Sequence, residues 1–124
     1  MNTAILLYNF SPERENLAKK AFLPFNCTVK CVCEQDQIQT IGFMLGEKGF
    51  KKNEACLAQR VFKDELMVIS GIGGEKLSLL LMAVKSVGLG KINYKALVTD
   101  TNINWTGIQL FDEIKKEHSY FNSN

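Results

Sequence analysis

Three glycines fall within four residues at Gly71, Gly73 and Gly74, in the stretch VISGIGGEKLSLLL, between a short apolar run and a pattern of helical spacing. A loop of this kind can wrap its N–H groups around a phosphate, because a side chain would block the anion and a helix N-terminus adds partial positive charge. GIGGEK is not the Walker pattern, which ends in Gly-Lys-Ser/Thr. Nor is it a full G-x-G-x-x-G, whose third glycine would fall at Lys76. Glu75, next in line, would repel an approaching anion. The favoured reading is a steric corner between strand and helix, with a nucleotide or other phosphorylated small molecule as the alternative ligand.

The segment LVTDTNINWTGIQLF, Leu97 to Phe111, is the most unusual in the chain. Asp100, Thr101, Asn102, Asn104 and Thr106 crowd polar side chains into one turn, and Trp105 sits where a helix should begin. In open α/β sheets ligands bind outside the carboxyl ends of strands, which is where this turn is expected. Trp105 could stack on a planar ligand while Asp100, Asn102 and Asn104 bond its edges. The structural alternative, which is favoured, has Asn and Asp forming turns and caps while Trp105 staples the helix to the sheet.

Cys27, Cys31 and Cys33 share one parity of a predicted strand, so their side chains should project from one face. Structural zinc sites present C-x-x-C knuckles from tight turns, and no second knuckle or histidine follows at ligand spacing. Thiols packed under a helix are expected, and no metal or other cofactor. His118, the only histidine, falls in the last predicted turn of the final helix, where its positive charge would suit the dipole. No nucleophile motif accompanies it, so no catalytic residue is assigned. The carboxylate pairs Glu34 with Asp36 and Asp112 with Glu113 fit a helix start and a solvated helix face.

These residues need elements to hold them. Ala4 to Phe10 is strand-like, and Ser11-Pro12-Glu13 is a strong helix start: a capping hydroxyl, a proline at the first helical position and an acid at the positive end of the dipole. Leu17, Ala18, Ala21 and Phe22 recur at helical spacing until Pro24. Cys27 to Cys33 is a second strand. Asp36 to Leu45 is a helix with Ile38, Ile41 and Leu45 on one face, and Asn53 to Phe62 is a short helix with Leu57, Val61 and Phe62 inward. Leu66 to Ser70 and Tyr94 to Thr99 are strands. Gly74 to Val87 is a helix with Leu77, Leu80, Leu81 and Val84 inward. The last helix is Trp105 to His118, capped by Asn104, with Ile108, Phe111 and Ile114 facing the core.

The two halves can be laid over each other. FSPER matches IGGEK, Leu17 matches Leu79, Ala21 matches Ala83 and Val32 matches Val98, which suggests a repeat of residues 4–46 in 66–118. The corner Asn9 to Glu13, which has no glycine, then matches Gly71 to Glu75. Gly73 stands at the N-cap position of Ser11.

A chain of 124 residues suits one domain with a sizeable core, and 46% hydrophobic with 23% charged residues is ordinary for a globular protein. With 15 basic and 13 acidic residues the net charge is only +2. Its lysines occur as pairs diluted by acids, which argues against nucleic-acid binding. MNTAILLYNF fails the signal-peptide pattern, and no run approaches the ~20 apolar residues of a membrane span. A cytoplasmic location with reduced thiols is therefore expected, and no membrane partner.

ILLYNFSPER, ELMVISGI and above all LVTDTNINWTGIQLFDEIKKEH resemble a family of small bacterial proteins known as domain of unknown function 3783. The similarity is strongest over roughly Glu65 to His118, and Thr99-x-Thr101-Asn102-x-x-Trp105 carries most of it. Proline is usual in that family where this chain has Asp100. The resemblance implies a bacterial, cytoplasmic α/β domain and brings no activity or catalytic residue.

The expected architecture is one two-layer α/β domain with a sheet of about four strands, built from two β-α-β-α units, with a ferredoxin-like arrangement as one version. The expected role is a non-enzymatic small-ligand or protein-interaction module. Its rim would join the turns at Asn9 to Ser11, Gly71 to Gly74 and Asp100 to Trp105. An exposed edge strand or the apolar helix Leu77 to Val87 could also form a homodimer.

Overall fold

A computed structural model describes residues 3–54 and 60–122, with side chains as far as His118. Four strands form one sheet: β1 (Ala4–Tyr8), β2 (Thr28–Val32), β3 (Leu66–Ser70) and β4 (Tyr94–Leu97), in the order β2-β1-β3-β4. β1 runs parallel to β2 and β3 parallel to β4, while the central pair β1 and β3 is antiparallel. Every residue of β1 and β3 is buried, as expected of strands covered on both faces, whereas the edge strands β2 and β4 are largely half-buried or exposed. In a ferredoxin-like sheet each β-α-β unit is split by a strand of the other. Here the strands of each unit are neighbours, so that version is not adopted.

The long helices are α1 (Pro12–Phe22), α3 (Gly74–Ser86) and α4 (Gly107–Asn122), and α2 (Ile41–Met44) is a single turn. Strand alternation sends Ile5, Leu7, Met67 and Ile69 to one face, where Ala18, Ala21 and Phe22 of α1 meet Leu80 and Val84 of α3. Ala4, Leu6, Tyr8, Leu66 and Val68 point to the other, under Ile41, Met44, Phe62, Ile108 and Phe111. The expected sheet and helical layer are present, and the second face carries a further, thinner layer.

α1 begins as expected: Ser11 Oγ accepts from the Arg14 amide at 3.3 Å and Pro12 occupies the first turn. Two other helices differ. The predicted helix Asp36–Leu45 is broken into a 3-10 turn, Glu34–Ile38, and α2, because Gln39 and Thr40 are extended. They are held so by a bridge to the last unit: the Ile41 amide donates to Trp105 O at 2.8 Å and the Gly107 amide to Gln39 O at 3.2 Å. The last helix starts at Gly107, not Trp105, and its cap is Thr106 instead of Asn104. Thr106 Oγ1 accepts from the Gln109 amide at 3.1 Å while Gln109 Oε1 accepts from the Thr106 amide at 2.9 Å, a reciprocal capping box. That helix extends past His118, whose ring lies against Tyr94 at 5.2 Å and not in the final turn.

Half of the predicted helix Asn53–Phe62 lies outside the described residues, Cys56 and Leu57 included. Its described ends are not helical.

Tyr8 is fully buried, yet its hydroxyl has no hydrogen-bond partner among the described residues. Burial pushes its pKa upward, so the group stays neutral. Because an unpaired buried hydroxyl opposes folding, Tyr8→Phe is expected to leave stability unchanged or raise it by up to about 1 kcal/mol. A denaturant titration checks this, and a clear loss would show that the hydroxyl is bonded.

Candidate functional site

The antiparallel central pair divides the carboxyl ends of the strands between two opposite rims. Asn9 to Ser11 follow β1 and lie at one end, whereas Gly71 to Gly74 and the turn after β4 follow parallel strands at the other. A single rim joining all three turns is therefore not formed.

Side chains of the chain itself occupy much of the first rim, beside a hollow of about 260 Å³ lined by Asn9, Phe10, Glu15, Cys31, Cys33 and Glu34. Asn9, in the left-handed region at φ 65°, donates from Nδ2 to Phe62 O and Asp64 O, both at 2.9 Å. Arg14 grips Glu65 through two nitrogens, at 2.5 and 2.9 Å, and donates to Leu89 O at 2.9 Å. Two buried glutamines complete it. Gln37 accepts from the Phe62 amide and donates to Phe62 O, at 3.0 and 3.1 Å, while Gln39 treats Asn53 in the same way, at 2.6 and 3.0 Å. Each side-chain amide thus stands in for a neighbouring peptide strand. Sequence reading missed both, since a glutamine in a stretch such as DQIQT carries no signal of what main chain it will face.

On the second rim, Gly71 and Gly74 have φ of 74° and 60°, conformations that exclude most side chains, and Gly73 is extended. Gly71 takes the place in its unit that Asn9 takes in the first, with the same left-handed backbone. A Cβ at Gly73 or Gly74 would meet nothing within 4 Å.

Asn102 is engaged by its own turn. Oδ1 accepts from the Thr99 amide at 2.8 Å and Nδ2 donates to Leu97 O at 2.9 Å. Asn104 Nδ2 likewise donates to Asp100 O at 3.1 Å. Asp100 is exposed. Trp105 is half-buried and lines a shallow groove of about 310 Å³ with Gln109, Asp112 and Glu113, which neither the glycines nor Asp100 and Asn102 line. Arg60 pairs with Asp112 at its side.

Residues 65–121 match the family described as a domain of unknown function, DUF3783. No curated protein and no solved structure matches the chain. The DUF3783 region begins just before β3 and takes in α3, β4, the Thr99 to Trp105 turn and nearly all of α4. It is the second β-α-β-α unit, whose own internal bonds among Leu97, Thr99 and Asn102 fix the turn that carries the resemblance.

Among the described residues no group of three or more His, Cys, Asp or Glu side chains is placed to hold a metal ion. Burial, followed by a hydrogen bond to Glu15, pushes the Cys31 thiol up to about 11, and burial raises Cys27 as well. Cys33 is exposed and donates to Asp36 at 3.3 Å. Alkylation followed by mass spectrometry at pH 8 is expected to modify Cys33 first and Cys31 much more slowly, with the Cys31 rate still rising above pH 10. Equal rates would contradict this environment.

The DUF3783 region has one more feature. The run LSLLLMAV in α3 is apolar at seven of eight positions, from Leu77 to Val84, yet only Leu80 and Val84 are buried. Leu79 and Met82 are 56% and 65% exposed, and Leu77 and Leu81 are half-buried. The expectation that Leu77 and Leu81 turn fully inward is therefore met only in part.

Proposed function

We propose that residues 4–46 and 66–118 are two copies of one module within a single domain, and that the second copy presents a protein-interaction surface centred on α3. The register of β1 on β3 supports the first part. Ala4–Tyr8 corresponds to Leu66–Ser70, and the pairing runs symmetrically about the Leu6–Val68 pair, as a local two-fold axis would require. The same correspondence sets Asn9 against Gly71, both with left-handed backbone, and, after four further residues in the second copy, Thr40 against Thr106 in the bridge between units.

The observation that carries the second part is the apolar character of α3 outside its core face. A helix apolar all round is normally buried all round, and this one is not. Glu15, Lys19 and Lys20 in α1 correspond to Leu77, Leu81 and Met82 in α3, so the fold itself accepts charge at these places. The apolar side chains of α3 then serve something beyond the domain, and no catalytic group is needed for that role. No described helix is long and apolar enough to cross a membrane, and a bacterial, cytoplasmic setting completes the proposal. A photo-crosslinking side chain placed at Met82 in cells should give a discrete adduct, and the same group at Lys20 none. Adducts at neither position, or at both equally, would sink it.

A second reading rests on Trp105. Its half-exposed indole and the carboxylates of Asp112 and Glu113 line one groove, an arrangement suited to a small ligand. A nucleotide at Gly71, Gly73 and Gly74 remains the alternative of the enzyme or nucleotide-binder class. Thermal-shift titration with nucleotides separates the two glycine-loop outcomes, because binding to the folded chain raises Tm.

A further inference from the structure

Beside α3 the sheet is left partly uncovered over its edge strand. Ile69, Leu77, Leu81 and Leu97 line a groove of about 230 Å³ there, with Lys95 at its side. It continues past Leu81 and Lys95 into a second hollow of about 170 Å³ bounded by Val84, Lys85, Lys91 and Ile92. The groove is thus apolar along its floor and lysine-rich along one end.

Among the described residues none of Lys85, Lys91 and Lys95 takes part in an ion pair. Lys95 donates to Ile92 O at 2.7 Å, and its pKa is lowered by partial burial and then by the neighbouring charges of Lys91 and Lys85. Three positive charges of this kind, beside apolar surface and without carboxylates of their own, are electrostatically unfinished. A carboxylate entering the groove would gain from all three.

Resting on the interaction surface assigned above, we infer that the groove between α3 and β4 receives an acidic amphipathic helix of a partner protein, its apolar side chains between Leu77, Leu81 and Leu97 and its carboxylates at Lys85, Lys91 and Lys95. A second copy of this chain fits poorly, because its own groove brings no carboxylate to meet these lysines. The hollow lies on the face of the sheet alongside a helix, where another helix packs at about 8–10 Å. An added strand would instead dock along the main-chain edge of β4.

The test is selection from a displayed library of random 16-residue peptides on the intact chain, with counter-selection on Leu77→Glu/Leu97→Glu. Residues Glu15 and Cys31 hold the corresponding places in the first unit, so this variant is expected to fold, and its Tm checks that. Leu81→Glu, at the place that Lys19 holds in the first unit, is a second counter-selection should it not. Enriched peptides are expected to carry apolar residues at i, i+3 or i+4 and i+7 with net negative charge. Lys91→Glu/Lys95→Glu should weaken them about tenfold or more. Enrichment of neutral or basic peptides that still require Leu77 and Leu97 would overturn the acidic partner and leave the interaction surface standing. Sedimentation showing a dimer that Leu77→Glu dissociates would do the same. No enrichment above the counter-selected variant overturns this inference, and if the Met82 crosslink also fails, the surface falls with it.

Discussion

Gln37→Leu is expected to lower stability by about 3 kcal/mol, with a fall in Tm of roughly 10 °C. Leucine matches the side chain in bulk, so little cavity arises. What changes is hydrogen bonding: the Phe62 amide loses its acceptor, and Asn9 Oδ1 loses the 3.2 Å bond from Gln37 Nε2. The Phe62 amide is buried, where an orphaned group costs about 1–3 kcal/mol, whereas Asn9 Oδ1 is half-buried and adds less. Phe62 O keeps the Asn9 donor, which limits the damage. The consequence reaches further than the amide, because the Phe62 ring stacks on Phe111 at 4.2 Å and faces Tyr8 at 5.7 Å. Releasing the Phe62 backbone loosens the cover of one core. Chemical denaturation gives the size of the effect, and hydrogen exchange at the Phe62 amide gives its location. A variant within about 0.5 kcal/mol of the parent, with that amide still protected, would show that Gln37 does not hold the connecting segment.

The contrast between what the sequence disclosed and what it hid follows from the range of each interaction. β1, α1, β3 and α3 were legible because Ser11-Pro12-Glu13, the apolar runs and the glycine corners act over a few residues. The proposed repeat rests on signals of the same short range, the match of Phe10 to Arg14 with Ile72 to Lys76. The break at Gln39 and Thr40 was not, because it is imposed by a bridge to Thr106, far along the chain. The displaced cap at Thr106 has a local signature, Thr106 with Gln109 three residues on, but Asn104 is the stronger capping residue type and drew the helix start forward. Strand order also lay beyond pattern reading: parallel pairs within each unit and an antiparallel centre send Asn9 and Gly71 to opposite rims. Of the candidate site residues, Asn102 lies in a turn whose bonds are all local, while Trp105, Gly71, Gly73 and Gly74 were placed by topology.

Gly107→Ala separates helix propensity from packing, since the two give opposite signs. Gly107 opens α4 and its φ is not in the left-handed region, so by propensity alone alanine would help, by up to about 1 kcal/mol. The space denies it. A Cβ there would lie 2.7 Å from Tyr8 Cε2, 3.1 Å from its hydroxyl and 3.2 Å from the main-chain oxygen of Gln37. Tyr8 is fully buried in the central strand, and Gln37 is held by Phe62, so neither neighbour can withdraw cheaply. Overpacking should win, with a net loss of about 2 kcal/mol, large enough to weaken the bridge that the Gly107 amide makes to Gln39. Gly42 supplies the comparison: its Cβ would come within 2.4 Å of the Phe50 ring, but that ring is half-buried and can swing aside, so Gly42→Ala should cost less. Combining Gly107→Ala with Tyr8→Leu, which removes the ring edge, should recover part of the loss, leaving a coupling above about 1 kcal/mol in the double-mutant cycle. Additive effects, or a stabilised Gly107→Ala, would mean that the two units do not meet as closely around Thr40 and Thr106 as this geometry requires.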